Sequence, residues 1–160
     1  MKIKGIIFED TVNYKKISLT IMMPKCDFKC DRECGYPICQ NGPLANSEDI
    51  EIDAENIIKK YYIDNPIVEA LVFQGLEPFD TYDDLVEFIS IFRLYSNDDI
   101  VIYTGYTIDE IVEMNKFEWL SHIPNIIIKF GRYRPDQESI YDEVLGVKLA
   151  SPNQYAMKIS

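Results

Sequence analysis

The sequence predicts an α/β fold with a mainly parallel sheet. Two observations predict it. Short β-rich or apolar runs alternate with stretches of helical periodicity, and the segments of unusual composition each follow such a run. Alternation of this kind implies right-handed strand–helix–strand crossovers. Sheets built that way bind ligands beyond the carboxyl ends of their strands.

The elements follow in chain order. Lys16 to Met23 (KISLTIMM) is β-rich and ends at Pro24, and Lys4 to Phe8 reads as a short strand beside it. Residues 24–41 read as loop, because Gly, Pro, Asp and Asn cluster there. Asp53 is placed to cap a helix in which Ile57, Ile58, Tyr61 and Tyr62 make an apolar stripe. Val68 to Phe73 (VEALVF) reads as a buried strand. Asp80 starts a second helix, with Leu85, Phe88, Ile89 and Phe92 on one face at i, i+3, i+4 and i+7. Ile100 to Tyr103 is the third strand. Thr107 to Glu110 (TIDE) is a capping box that opens a short helix. Ile126 to Phe130 (IIIKF) is the fourth apolar strand. The cysteine segment, QGLEPF, TGYT and GRYRP therefore fall after successive strands, at one rim of one sheet.

Composition narrows the function classes. The chain has 160 residues, 47% hydrophobic and 27% charged, which is ordinary for a globular protein. A chain of that length buries roughly 70% of its unfolded surface and needs neither disulfide nor metal merely to fold. No repeat or flexible linker divides it, so one domain over residues 1–160 is expected, with the cysteine loop at 24–41. The net charge of −11 argues against nucleic acid and against acidic membranes as partners. No apolar run approaches the ~20 residues of a spanning helix, and the N-terminus does not read as a signal peptide. A cytoplasmic location is expected, where thiols stay reduced and metal or redox chemistry is favoured over disulfides.

All four cysteines, Cys26, Cys30, Cys34 and Cys39, sit in one polar segment, with three, three and four residues between them. Three readings compete. Four incidental thiols would more often be scattered and buried. A structural zinc site takes four thiolates readily but usually draws them as pairs from two separated loops. An iron–sulfur cluster is larger than one ion, and a single loop with short spacings can wrap it. The loop alone leaves open whether three or four thiolates bind. Gly75-Leu76-Glu77-Pro78 adds a close-approach glycine, a turn-fixing proline and a carboxylate able to meet an ammonium group.

With these segments in place, the chain resembles the radical S-adenosylmethionine proteins. The likeness is to the small branch that activates glycyl radical enzymes, and in particular to the anaerobic ribonucleotide reductase activating proteins. Met23 to Cys30 (MPKCDFKC) resembles the start of that family's cluster motif, and Cys39-Gln40-Asn41 its end. Gly75 to Pro78 resembles Gly-Gly-Glu-Pro, and Tyr103 to Thr107 matches Tyr-Thr-Gly-Tyr-Thr. Gly131 and Tyr133 fall at Gly-Pro-Tyr, and Ser151 to Gln154 resembles Ser-Ser-Asn-Gln. The chain departs from the pattern too. The family motif is C-x3-C-x2-C, whereas here the second gap is x3 to Cys34 or x8 to Cys39. Leu76 replaces a glycine, and Arg132 replaces a proline.

The resemblance implies a partial (β/α) barrel of the small radical S-adenosylmethionine type. It implies a [4Fe–4S] cluster on Cys26, Cys30 and Cys39, with Cys34 as alternative ligand, and S-adenosylmethionine on the open iron. Gly75, Leu76, Glu77, Pro78, Tyr103, Thr104, Gly105, Ile38 and Asn41 would bind that cofactor. No catalytic side chain is implied beyond the cluster and S-adenosylmethionine. The implied reaction is reductive cleavage to a 5′-deoxyadenosyl radical, which makes a glycyl radical on a partner such as anaerobic ribonucleoside-triphosphate reductase. A reduced flavodoxin or ferredoxin would donate the electron. The competing reading is a non-enzymatic four-cysteine zinc or iron–sulfur module, acting as scaffold or electron carrier. His122, the only histidine, reads as a surface residue, Trp119 with Phe117 and Leu120 as core, and Arg132 with Arg134 as partners for nearby acids.

Overall fold

Four apolar runs form the parallel centre of one sheet. The computed structural model describes all of residues 1–160. In chain order its elements begin with β1 (Lys2–Ile3), β2 (Gly5–Asp10), β3 (Ser18–Met23), α1 (Lys29–Cys34), α2 (Gly42–Ala45) and β4 (Ile50–Glu51). Next come α3 (Ala54–Ile58), a π turn (Lys59–Ile63), β5 (Ala70–Gly75), a 3-10 turn (Pro78–Thr81), α4 (Tyr82–Phe92) and β6 (Asp99–Tyr103). The last are α5 (Ile108–Glu113), α6 (Phe117–Ser121), β7 (Ile126–Phe130), β8 (Ile140–Asp142), β9 (Val147–Leu149) and β10 (Tyr155–Lys158).

The main sheet has six strands in the order β10-β7-β6-β5-β3-β2. β3, β5, β6 and β7 are parallel, while β2 and β10 run antiparallel at the two edges. The sheet is thus mixed, and it is open, since its edge strands do not pair with each other. The parallel strands are in chain order, and right-handed crossovers place α3, α4, α5 and α6 on the same face. On that face Leu19, Ile21, Leu71, Phe73, Ile102, Ile128 and Phe130 pack against Ile58, Leu85, Phe88, Ile89 and Phe92. The Phe73 and Phe88 rings meet edge-on at 5.4 Å. The opposite face has no helix. Its Ala70, Val72, Val101 and Ile127 are covered by Tyr14, Leu145 and Leu149, from the loop after β2 and the β8–β9 hairpin.

Register aligns the carboxyl ends. Met23 lies beside Gly75, and Tyr103 beside Lys129. The loops after β3, β5, β6 and β7 therefore leave the sheet at one level.

Several expectations shift. The cysteine segment is not loop throughout, because it folds into α1 and α2. The helix opened by Asp53 is short and relaxes into the π turn, with Ile58 and Tyr62 buried and Ile57 and Tyr61 only half-buried. Asp80 falls inside the 3-10 turn rather than at a helix start, and α4 begins at Tyr82. The capping box forms as read, with Thr107 and Glu110 bonded reciprocally. No helix is long and apolar enough to cross a membrane.

Candidate metal centre

The cysteine segment is shaped by a few local bonds. β3 ends at buried Pro24. The Cys26 Sγ accepts the Phe28 N–H at 3.3 Å, and Phe28 takes a left-handed conformation (φ 53°) that turns the chain into α1. Cys30 lies in the first turn of α1 and Cys34 at its end. Asp31 then folds the chain back, its Oδ1 accepting the N–H groups of both Ile38 and Cys39 at 2.9 Å. This return places Cys39 on the same side as Cys30.

Both ends of the segment are tied to the turn after β5. The Glu77 N–H donates to the Lys25 carbonyl at 2.7 Å, and the Asn41 amide donates to the Gly75 carbonyl. The result is an open cavity of about 410 Å³ above the carboxyl ends of the sheet. Cys26, Cys30 and Cys39 line it; Cys34 does not. Asn41, Gly75, Leu76, Glu77, Tyr103, Thr104 and Gly105 line it too, as do Lys129, Gly131, Gln154 and the β9 strand of the hairpin. Of the residues singled out from sequence, Ile38 and Pro78 lie outside the lining. Ile38 is half-buried within the cysteine segment, and Pro78 is buried at the start of the 3-10 turn.

Glu77 is the hub of the rim. Its Oε1 accepts the Thr104 hydroxyl at 2.7 Å and the Phe79 N–H at 3.1 Å, and its Oε2 accepts the Gly105 N–H at 2.8 Å. One carboxylate thus joins the loop after β5 to the loop after β6. Burial nonetheless pushes its pKa up to about 7.

The thiols are unevenly surrounded. Burial pushes Cys26 up to about 12, and Glu77, Asp80 and Asp27 add to the rise against the Phe28 N–H. The Asp27 and Asp80 carboxylates approach its sulfur so closely that all three ligand atoms lie within 4.8 Å of one another. Cys30 is raised by burial and then by Cys39, while the Tyr133 N–H and Arg132 oppose the rise. Thiols held protonated in this way release protons when a metal binds them.

Arg132 latches the segment in place. Its guanidinium meets Glu110 at 2.6 Å and Glu33 at 3.2 Å, and Lys29 meets Glu110 at 2.7 Å. Arg132 and Lys29 hold the Glu110 carboxyl down to about 2. Its reading as a partner for nearby acids holds. His122 is exposed, its ring Nδ1 at 2.8 Å from the Glu118 carbonyl, away from the cavity.

Sequence reading passed over Lys129. It is only 7% exposed and lines the cavity from the end of β7. The signal was a single lysine in an otherwise apolar strand.

The donor set suits a cluster. Three cysteines line one cavity with an open side, and all four cysteines are free of disulfides. A Cβ added at Gly105 would stand in ordinary contact 3.6 Å from the Glu77 carboxylate and 3.9 Å from the Cys30 sulfur, which places this glycine between the two.

Fold and site together define an α/β protein with a thiolate metal centre at the carboxyl rim of its sheet. A family model described as a 4Fe-4S single cluster domain matches residues 16–151, and the chain belongs to that family. It is an iron–sulfur protein, which decides among the three readings of its cysteines. No curated protein and no solved structure matches the chain.

Proposed function

We propose that this iron–sulfur protein is a radical S-adenosylmethionine enzyme of the activating type. It cleaves S-adenosylmethionine reductively and makes a glycyl radical on a partner such as anaerobic ribonucleoside-triphosphate reductase. The observation that carries this reading is the meeting of Cys26, Cys30 and Cys39 with the Gly75–Glu77 turn and Thr104-Gly105 around one open cavity. The one-way winding of β3, β5, β6 and β7 supports it, because consecutive strands of a (β/α) barrel follow that order and a partial barrel leaves a side open to a polypeptide.

In this reading Cys26, Cys30 and Cys39 hold the cluster, and Cys34 is left over. When bound, the cluster would supply the electron that breaks a carbon–sulfur bond of S-adenosylmethionine, so that a hydrogen atom could be taken from a glycine Cα of the partner. The protein orients and shields. The Gly75–Glu77 turn receives the methionine amino group. Asn41 fixes the Gly75 carbonyl, and Glu77 sets the spacing between that turn and Thr104-Gly105. The Tyr103 ring walls the adenosine side. A reduced flavodoxin or ferredoxin is the electron donor.

The test is anaerobic reconstitution followed by reduction. About four irons per chain are expected, with 5′-deoxyadenosine formed once S-adenosylmethionine and reductant are added. Iron loading without 5′-deoxyadenosine removes the enzymatic part and leaves a cluster-bearing scaffold or electron carrier.

A further inference from the structure

The β8–β9 hairpin forms one wall of the cavity, and β9 stands edge-on to it. Val147, Lys148, Leu149 and Ala150 all line the cavity. Side chains of a strand alternate between its two sides, so consecutive residues reach one space together only where the strand presents its main-chain edge. β9 pairs with β8 alone, and its other edge has no strand beside it.

The phase of this short ladder decides which groups the free edge offers. Opposite residues of an antiparallel pair alternate between those that exchange both N–H···O bonds and those that exchange none. Here Ile140 faces Leu149, Tyr141 faces Lys148 and Asp142 faces Val147. A ladder bonded at Tyr141–Lys148 would bridge Ile140 and Leu149 through a bond from the Ala150 N–H to the Ser139 carbonyl. That N–H donates to the Gln154 Oε1 instead, at 3.1 Å. The bonded pairs are therefore Ile140–Leu149 and Asp142–Val147, and the main-chain N–H and C=O of Lys148 point away from β8. Neither group has a partner within the chain, and nor has the Ala150 carbonyl further along the same edge. Lys148 is exposed, and its side chain is in none of the ion pairs.

The complement of such an edge is another main chain in extended form. A second copy of this protein is a poor occupant. Its net charge of −11 repels its like, and antiparallel pairing through Lys148 would set one lysine against another. The same charge favours a neutral or basic segment of a different protein.

We propose that the free edge of β9 docks an extended, neutral or basic segment of the partner protein, which adds as a strand beside Lys148. The inference rests on the activating reading above and names the surface along which that reading's polypeptide enters. A segment held in this way runs along the wall of the space that Cys26, Cys30 and Cys39 also line. Its main chain, rather than any one side chain, carries the contact.

The test uses anaerobically iron-loaded protein and, as probe, a peptide spanning the radical-bearing glycine of an anaerobic ribonucleoside-triphosphate reductase. Binding is measured on wild type, Lys148→Met and Lys148→Pro, after iron content and thermal melting have shown each variant loaded and folded. Proline removes the outward N–H and no ladder bond, and edge strands tolerate it at such positions. Lys148→Pro is expected to lose roughly 3- to 10-fold in affinity, the worth of one main-chain hydrogen bond. Lys148→Met keeps the main chain and loses only an exposed charge, so it is expected to stay within about twofold of wild type. Hydrogen exchange gives a second readout: the Lys148 amide slows by about tenfold or more when the peptide binds, which docking through side chains alone does not produce. Should Lys148→Pro not fold, methylating the peptide nitrogens one at a time supplies the comparison, and a loss confined to the position opposite Lys148 is expected. Equal losses in the Met and Pro variants overturn the docking edge, as does binding that leaves the Lys148 amide unslowed or a wild type that does not bind the peptide. In each of these cases 5′-deoxyadenosine formation by the wild type leaves the enzyme reading intact. If none forms while the edge behaves as expected, the enzyme reading falls alone.

Discussion

Replacing Glu77 by glutamine tests the hub of the rim. The carboxylate accepts three bonds in the folded protein, two on Oε1 and one on Oε2. Glutamine has one acceptor oxygen and an amide that only donates. With the oxygen at the Oε1 position, the amide confronts the Gly105 N–H. Turned over, it confronts the Phe79 N–H instead. Either way a buried backbone donor loses its partner, at a cost of about 1–3 kcal/mol. Burial works in the opposite direction on the wild type. It lifts the Glu77 pKa from the ordinary 4.5 to about 7, which disfavours the charged form by on the order of 3 kcal/mol.

These two effects give the comparison a pH signature. The folded value lies above the unfolded one, so between about 4.5 and 7 the folded chain binds more protons at this site. The stability due to protonated Glu77 is complete below the unfolded value and is lost as pH rises through the folded one. The advantage of wild type over Glu77→Gln is therefore largest below about pH 4.5 and shrinks by about 3 kcal/mol by pH 8. Urea unfolding of both proteins, metal-free and reduced, followed by the fluorescence of Trp119, reads this directly. Taking the difference between the two proteins at each pH cancels the other titrating groups. An advantage that grew with pH would refute the reasoning. It would mean that the three hydrogen bonds outweigh burial and that Glu77 is a depressed carboxyl.

Cys34→Ala is expected to keep wild-type iron content and visible absorption, whereas Cys26→Ala, Cys30→Ala or Cys39→Ala each lowers both; cluster loss in Cys34→Ala would point to a different ligand set. Arg132→Met takes the guanidinium from Glu110 and Glu33, leaving Glu110 to Lys29, costs less than about 1 kcal/mol because these pairs are partly exposed, and speeds iron loss to a chelator by loosening α1; unchanged chelation kinetics would count against the latch. Because Glu110 is held down to about 2, its contribution is present above its ordinary 4.5 and lost as pH falls through about 2, so acid unfolding of the variant is expected to begin at a higher pH. Gly131→Ala combines a φ of +96° with a Cβ 2.6 Å from the Asn153 carbonyl, and a loss of roughly 2–4 kcal/mol is expected; an unchanged melting temperature would show that the backbone there yields easily.

The parallel strands were legible because they are buried on both faces, and such strands read as continuous apolar runs whatever surrounds them. The capping box at Thr107 was legible because its bonds are local. What escaped was held by distant partners. α1 and α2 span only six and four residues, too few for helical periodicity to register. They sit in a segment held by Asp31 folding back to Ile38 and Cys39 and by Asn41 reaching the Gly75 carbonyl. The β8–β9 hairpin has three-residue strands and no clear alternation, and it exists because Leu145 and Leu149 cover the face of the sheet that carries no helix.

Lys129 shows why the cavity was harder to read than the rim. In IIIKF the lysine passes for a minor interruption of a buried strand. Side chains of a strand alternate between faces. Ile126, Ile128 and Phe130 turn to the helices, which leaves Ile127 and Lys129 on the other side. Had that side also been packed, a lysine there would have argued against the strand. Ile127 is packed, under the hairpin. One pleat further toward the carboxyl end the cover stops, and Lys129 opens on the cavity. A lysine in such a strand is tolerable only where packing gives way to a binding space. The position of that boundary depends on Tyr14, Leu145 and Leu149, which come from segments remote in the chain, so the four strands could be found without finding where the sheet stops being core and becomes a site.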